Sequence, residues 1–298
     1  MIAPYADPRY AAALAAGGGL QPVLIAAWHG AAVLRRPVPG ADAQDIAGPY
    51  PLMPFAPGWD IAAGLEEMRR DGAVSAVFVS DPVLACADPA RFDHARPFKR
   101  HHIVRDGYAP GTHHRAELRR AARRCDVAEI PFADALADWV RLYGGLVAAK
   151  NLAGGPQDFG ACYARALLPL APRAFAARTV QGVVGMSLWL RHGALAWYHL
   201  AATDAAGRAA GAGYPLVDVA VRTLLAEGVS CVVLGGGLAD ARTPACGLER
   251  FKAGFANDVR TNLLLGAVLD PARYAAFGGA EGWFPAYRAP APRGVLAV

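Results

Sequence analysis

The chain has 298 residues, 54% of them hydrophobic and 18% charged, with a formal net charge of +5. Those proportions exclude a disordered polypeptide and allow one or two domains with a substantial core. The N-terminus lacks a basic start running into an unbroken apolar segment, and no apolar stretch of roughly 20 residues could span a bilayer, so a cytoplasmic protein with no membrane span is expected.

Charge is unevenly placed. Between Arg96 and Arg124 nine Lys/Arg face only Asp106 and Glu117, a local excess of +7 that leaves the rest of the chain at −2. His101, His102, His113 and His114 share this window and would add charge in mild acid. Cysteines at 86, 125, 162, 231 and 246 are odd in number and lack C-x-x-C spacing, which argues against disulfides or structural zinc and for buried, reduced thiols.

In chain order, the first hundred residues read as mixed α/β. Val23–His29 and Ala31–Leu34 form a hairpin around Gly30, and Asp45–Pro54 is too proline-rich for regular structure. Trp59–Asp71 places Ile61, Leu65 and Met68 at helical spacing and stops at Gly72; Ala73–Val79 reads as a buried strand. Thr112 is placed to cap a helix running to about Cys125. Its Leu118, Ala121, Ala122 and Cys125 follow an i, i+3, i+4, i+7 pattern, with Arg115, Arg119 and Arg123 on another face. Helices are expected over Ala133–Ala149 and Gln157–Leu168, then strands near 173–179, 182–190 and 194–202. A glycine-containing loop, Arg208-Ala-Ala-Gly211-Ala-Gly213, opens a helix that ends at Glu227-Gly228. The strand Ser230–Leu234 follows and closes on Gly235-Gly236-Gly237. From Gly278 onward the chain is rich in Pro, Ala and Gly and reads as irregular. A strand, a glycine turn and a helix N-terminus can present unpaired N–H groups and a favourable dipole to an anion, typically a pyrophosphate. An ordinary glycine turn is the alternative.

Four features in order carry a resemblance: the helix His114-Arg-Ala-Glu-Leu-Arg-Arg-Ala-Ala-Arg-Arg124, the strand residues Tyr198-His-Leu200, the triple glycine, and Phe251-Lys-Ala-Gly-Phe255. With R-x-x-G-x-G at 208–213 they resemble the GNAT acyltransferase superfamily and, within it, the Fem-type peptidoglycan-bridge aminoacyltransferases, over about residues 45–275. The resemblance implies an α/β (α+β) fold of two GNAT-like modules, each a mixed, mostly antiparallel sheet flanked by helices, with a cleft between them. The modules would cover 1–110, completed by 268–298, and 111–267. It implies an N-acyl or N-aminoacyl transferase in which an acceptor amine attacks an activated donor directly. Cell-wall or natural-product biosynthesis are the settings the family offers.

The same resemblance assigns candidate roles. Arg208, Gly211, Gly213 and Tyr214 would bind the donor; Lys252 would steady the oxyanion formed at the carbonyl. Tyr198 and His199, facing opposite ways on their strand, are candidates to take the amine proton. Tyr50 and Phe251 would line the acceptor pocket. Each residue also has a structural reading: a core tyrosine or histidine, a solvated lysine, a plain turn. The donor is a fork. Gly213, where Fem-type proteins often carry a larger polar residue, restores the acyl-CoA pattern, whereas Arg115, Arg119 and Arg123 in the basic window suit the tRNA of an aminoacyl-tRNA. Aromatics that could stack bases are sparse there. No resident cofactor or metal is expected, and the acceptor would be an amine-bearing small molecule or peptide. A non-catalytic GNAT-like module that binds nucleic acid or regulates is the competing reading.

Overall fold

The computed structural model describes residues 2–84, 87–154, 158–237, 247–280 and 282–288. Cys86, Cys246, Gln157 and the tail beyond 288 lie outside the described residues. Internal contacts divide the chain into two units, residues 1–98 with 262–298, and residues 99–261.

The first unit opens with α1 (Pro8–Ala15), whose start is capped by the Asp7 carboxylate. Strands β1 (Gln21–Ile25) and β2 (Ala31–Pro37) pair antiparallel from Gln21↔Arg35 to Ile25↔Ala31, around a turn in which His29 and Gly30 take positive φ. Residues 44–47 form a strand, β3 (Gln44–Ala47), where the prolines nearby suggested only loop. It pairs antiparallel with β2 and parallel with β4 (Ala73–Val79). A parallel neighbour needs a crossover, and α2 (Ile61–Arg70) supplies it, started by the Asp60 carboxylate on the Ala63 N–H. Trp28 is fully buried in this unit, with Phe55 and Phe78 edge-on at 5.5 and 5.7 Å and Trp59 stacked at 5.7 Å. Gly64 inside α2 admits that indole: a Cβ there would lie 2.2 Å from Trp28 Nε1.

The second unit is built on a sheet of order β5-β10-β9-β8-β7-β6. Its elements are β5 (His94–Val104, of which 99–104 lie in this unit), α3 (Thr112–Ala121), β6 (Asp126–Ile130), α4 (Leu136–Ala149), α5 (Ala161–Ala166), β7 (Arg173–Thr179), β8 (Gly182–His192), β9 (Leu195–Thr203), α6 (Ala205–Ala210), α7 (Gly213–Ala226), β10 (Cys231–Gly235) and α8 (Gly247–Ala253). Strands β6 to β9 form an antiparallel meander, β10 runs parallel to β9, and β5 antiparallel to β10. Helix α7 buries Leu216, Val217, Ala220, Val221 and Leu224 against the sheet, a stripe at helical period. Each Leu or Val so placed contributes about 1.5–3 kcal/mol.

Three expectations for this unit need correcting. Helix α3 is capped at Gly111 with no side-chain cap and ends at Ala121, so Thr112 is its first residue and Arg123 lies beyond it. The three arginines therefore do not form one helical line. Ala122, expected on the docking face, is exposed. Cys162 is likewise exposed, whereas Cys125 and Cys231 are buried.

The chain then returns to the first unit through β11 (Asp258–Val268), whose Leu264–Val268 pair antiparallel with β4, and α9 (Pro271–Ala276). The first unit's strand order is thus β1-β2-β3-β4-β11. Residues 286–288 make a short 3-10 turn there. The buried Asp45 carboxylate receives Arg36, Tyr287 and Arg288 at 2.6, 3.0 and 2.6 Å. Among the described residues no helix is long and apolar enough to cross a membrane.

Candidate functional site

Parallel pairing of β9 with β10 covers only Leu195–Trp197 against Cys231–Val233. Beyond Trp197, β9 stays paired with β8 but carries an irregularity opposite Leu188/Trp189, at Tyr198–Leu200. The two neighbours Tyr198 and His199 go to different partners. Tyr198 packs with the cluster under α7, its ring 4.7 Å from that of Trp189. His199 meets Tyr163 of α5, with Nε2 and the phenolic oxygen 2.6 Å apart. Burial holds the His199 pKa down to about 3, so the ring is neutral at physiological pH, and burial pushes the Tyr198 phenol up.

Lys252 belongs with Tyr198, not with His199. Its ammonium donates to the Gly236 carbonyl at 2.9 Å and lies 5.8 Å from the centre of the Tyr198 ring, a cation–π arrangement. Two of the three glycines that close β10 have steric reasons to be glycine. Gly235 has φ +85°, and a Cβ on it would approach Lys252 Nζ to 3.0 Å; on Gly236 a Cβ would strike the Arg100 carbonyl oxygen at 2.6 Å. The glycine turn thus lets an ammonium lie directly on backbone.

The last glycine of Phe251-Lys-Ala-Gly-Phe255 has a different duty. A Cβ on Gly254 would sit 2.1–2.4 Å from the imidazole of His114. That imidazole is buried, 2.8 Å from the Phe251 carbonyl oxygen and 4.5 and 5.1 Å from the rings of Phe255 and Tyr214. So the basic helix α3 docks on α8 through a histidine fitted over a glycine. Phe251 and Tyr214 are half-buried members of the same aromatic cluster, 5.2 Å apart.

The R-x-x-G-x-G segment departs from the expected open loop. Residues 205–210 are helical, and Gly211 (φ 75°) reverses the chain into α7. Its N–H groups are used internally: Gly211 to Arg208 O, Ala212 to Gly207 O and Tyr214 to Gly211 O, at 2.9–3.1 Å, while Pro215 has none. The bare amides expected here for a pyrophosphate are largely absent. Gly207, unremarked in the sequence, is the sterically critical glycine: a Cβ would lie 2.2 Å from Val184 O. A Cβ on Gly213 would make ordinary contact with Phe251 at 3.7 Å. Cations flank this turn instead. Arg208 donates to Thr203 O at 2.9 Å and Arg124 to Ala209 O at 3.1 Å, both side chains being exposed.

Residues 112–252, from the first residue of α3 to Lys252, match the family model described as "Acetyltransferase (GNAT) domain". This stretch, a little under half of the chain, is similar to a GNAT domain. The fold extends beyond it. FemX has the same fold, with TM-score 0.64 and 10% identity over 92% of this chain and 95% of that one. So does the C-terminal domain of a putative lysylphosphatidylglycerol synthetase from Agrobacterium fabrum, at 0.61 and 17% over 91% and 90%. L-PGS from Bacillus licheniformis follows at 0.57 and 14% over 92% and 95%. At these identities the likeness is one of fold. No curated protein matches the chain in sequence. The Fem-type resemblance read from four short motifs therefore holds for the architecture.

Within the matched stretch, Arg115 turns back to Pro110 O at 2.7 Å and to Thr112, while Arg119 and Arg123 are exposed. Asp218 bonds Tyr108 and Arg222, and Glu227 bonds Arg173 and Arg191, so both carboxylates serve packing. Tyr50 belongs to the first unit, 39% exposed. The residues that sequence reading did not assign to the site lie on β5, before the matched stretch: Lys99, His101 and His102. Burial, with Lys252, Lys99 and His102 nearby, depresses the His101 pKa to about 3. His102 is 3% exposed, and among the described residues neither ring nitrogen has a hydrogen-bond partner, although Glu249 Oε1 of α8 stands 3.8 Å from Nε2. An unpaired buried polar group costs about 1–3 kcal/mol. The paired histidines in the sequence are the available signal; neighbours on a strand point apart, which argues against a shared metal but not against one buried imidazole.

Proposed function

We propose that the chain is an aminoacyltransferase that takes its aminoacyl group from aminoacyl-tRNA and forms an amide with an amine acceptor. The observation that carries this reading is the turn at 207–214. The N–H groups of Gly211, Ala212 and Tyr214 donate to carbonyls of the turn itself, while Arg208 is fixed to the Thr203 carbonyl and Arg124 to the Ala209 carbonyl, each with further N–H donors to spare. Such a surface suits a phosphodiester chain read by side-chain charge more than a pyrophosphate cradled by amides. In the reaction, the acceptor nitrogen attacks the ester carbonyl carbon. The carbonyl oxygen gains the negative charge beside the Lys252 ammonium, and collapse expels the ribose oxygen, which takes up a proton.

Acyl transfer from acyl-CoA is the second reading, favoured by the match to an acetyltransferase model and by the space left at Gly213. The test offers purified protein labelled, charged total tRNA and, separately, a panel of acyl-CoAs, each with amine acceptors, and follows products by mass spectrometry. Enzyme-dependent, RNase-sensitive transfer is the expected result. Turnover of a CoA ester with none from charged tRNA would overturn the donor assignment.

A further inference from the structure

The pairing of β5 with β10 sets His102 opposite Gly235 across the ladder. Lys252 Nζ lies over that same glycine, held by Gly236 O at 2.9 Å. Facing residues on paired antiparallel strands are about 4.5–5.5 Å apart. A buried imidazole and an ammonium thus occupy adjoining positions on one patch of the second unit, with the Glu249 carboxylate 3.8 Å behind the imidazole. His102 and Val104 are two apart on the strand, and Val104 belongs to the cluster beneath α7, so His102 is on the Lys252 side of the sheet.

This arrangement has the shape of an amide-forming centre. In the tetrahedral adduct the attacking nitrogen and the oxyanion share one carbon, and each needs its own partner at hydrogen-bond distance, about 2.7–3.2 Å. An imidazole on β5 and an ammonium reaching from α8 over the facing β10 glycine span that pair of atoms. Lys252 is the donor to the oxygen. The nitrogen must shed a proton, and a neutral imidazole with an unused nitrogen is the base the site offers. We propose, on the strength of the aminoacyltransferase reading, that His102 accepts the proton of the attacking amine and that Glu249 positions it and steadies the imidazolium. The step balances. For an acceptor that arrives as an ammonium, one N–H proton passes to a ring nitrogen of His102 and on to solvent; the freed amine then forms the C–N bond, the C–O bond to ribose breaks, and the second proton, shed by the new amide nitrogen, goes to the departing ribose oxygen. The orphaned nitrogens of His102, costly for a residue that only fills space, are accounted for by this use. Strand β5 precedes the stretch that matches the GNAT model, so the assignment adds a residue from outside that domain.

The charges facing His102 are Glu249, which favours its protonation, and Lys252 and Arg100, which oppose it along with burial. Glu249→Gln should therefore move the acid limb of the kcat/KM profile to lower pH. The decisive comparison uses charged tRNA with two acceptors: methylamine, a cation at neutral pH, and hydroxylamine, which is uncharged there. His102→Gln should lower transfer to methylamine about 100-fold and transfer to hydroxylamine less than about threefold. An equal loss with both acceptors would make His102 a structural residue, and no loss with either would remove it from the chemistry; both results overturn the proposal. Should His102→Gln fail to fold, the Glu249→Gln profile decides, since an unmoved acid limb also overturns it. Failure of the wild-type protein with both acceptors would instead overturn the transferase reading, and this inference with it.

Discussion

Replacing Gly254 with alanine tests whether the basic helix is held to α8 in the manner described. The added Cβ would fall 2.1 Å from His114 Cε1, 2.3 Å from Nε2 and 2.4 Å from Nδ1. The imidazole cannot simply swing aside, because Phe255 and Tyr214 bracket it and its nitrogen is bonded to the Phe251 carbonyl. Overpacking of this kind costs about 1–3 kcal/mol, and a lost hydrogen bond about 1 kcal/mol more. Alanine recovers roughly 0.4–1 kcal/mol by restricting the unfolded chain, so the net loss is about 1–3.6 kcal/mol. That corresponds to a midpoint lowered by roughly 2–14 °C, measured by calorimetry or circular dichroism. The Gly144→Ala variant is the control, since that exposed position in α4 has open space around it and should be neutral or slightly stabilised. A double-mutant cycle with His114→Ala should recover most of the Gly254→Ala penalty. The docking account is refuted by a Gly254→Ala protein within about 0.5 kcal/mol of wild type, or by the same penalty in both backgrounds.

Other perturbations read different parts of the structure. Lys252→Ala should reduce kcat about 10²–10³-fold with donor affinity much less affected, as removal of an oxyanion partner does, and unchanged turnover in the charged-tRNA assay would remove its role. Gly207→Ala, aimed at the Val184 carbonyl, should cost at least about 1–3 kcal/mol, whereas Gly213→Ala should stay within about 0.5 kcal/mol and keep its activity. Urea titrations of the two variants compare them directly, and an equal cost would refute the assignment. His101 and His199 have native pKa values near 3 against 6.5 when unfolded, so the unfolded chain binds the extra protons. Their contribution is intact above pH 6.5 and lost as pH falls from 6.5 towards 3, each adding a slope of about 1.4 kcal/mol per pH unit in that window. Flat stability between pH 7 and pH 5 would contradict the burial of both rings.

Much of the second unit was legible because its elements speak for themselves. The hairpin strands 173–203 alternate between Gly-marked turns, and the helix after Gly213 carries its apolar stripe in sequence. The strands that were not anticipated lack such marks. Residues 94–104 read as a basic, proline-interrupted run, and 258–268 begin with a polar stretch; each becomes a strand through neighbours distant in the chain. For the candidate site, alternation gave the opposite facing of Tyr198 and His199, but only the fold brings Lys252 to the first and Tyr163 to the second. Glycines were legible as a class and not as individuals. Gly211 and Gly213 were singled out by a pattern, while close approach fixes Gly207, Gly236 and Gly254, which depends on what lies opposite.

The second unit is an insertion in the first, and this has a consequence for a chain emerging from the ribosome. Strand β4 is synthesised early, yet its antiparallel partner Leu264–Val268 arrives only after the whole second unit. At about 5–20 residues per second, the intervening stretch takes roughly 8–30 s to make. For that interval one edge of a strand as apolar as Ala73–Val79 has open backbone groups, the condition that invites pairing with another nascent chain. Faster folding of the inserted unit would not shorten the exposure, because the missing strand is still unmade. The yield of folded protein should therefore respond to translation speed across residues 99–261, and to chaperones that shield strand edges, more than to the stability of either finished unit.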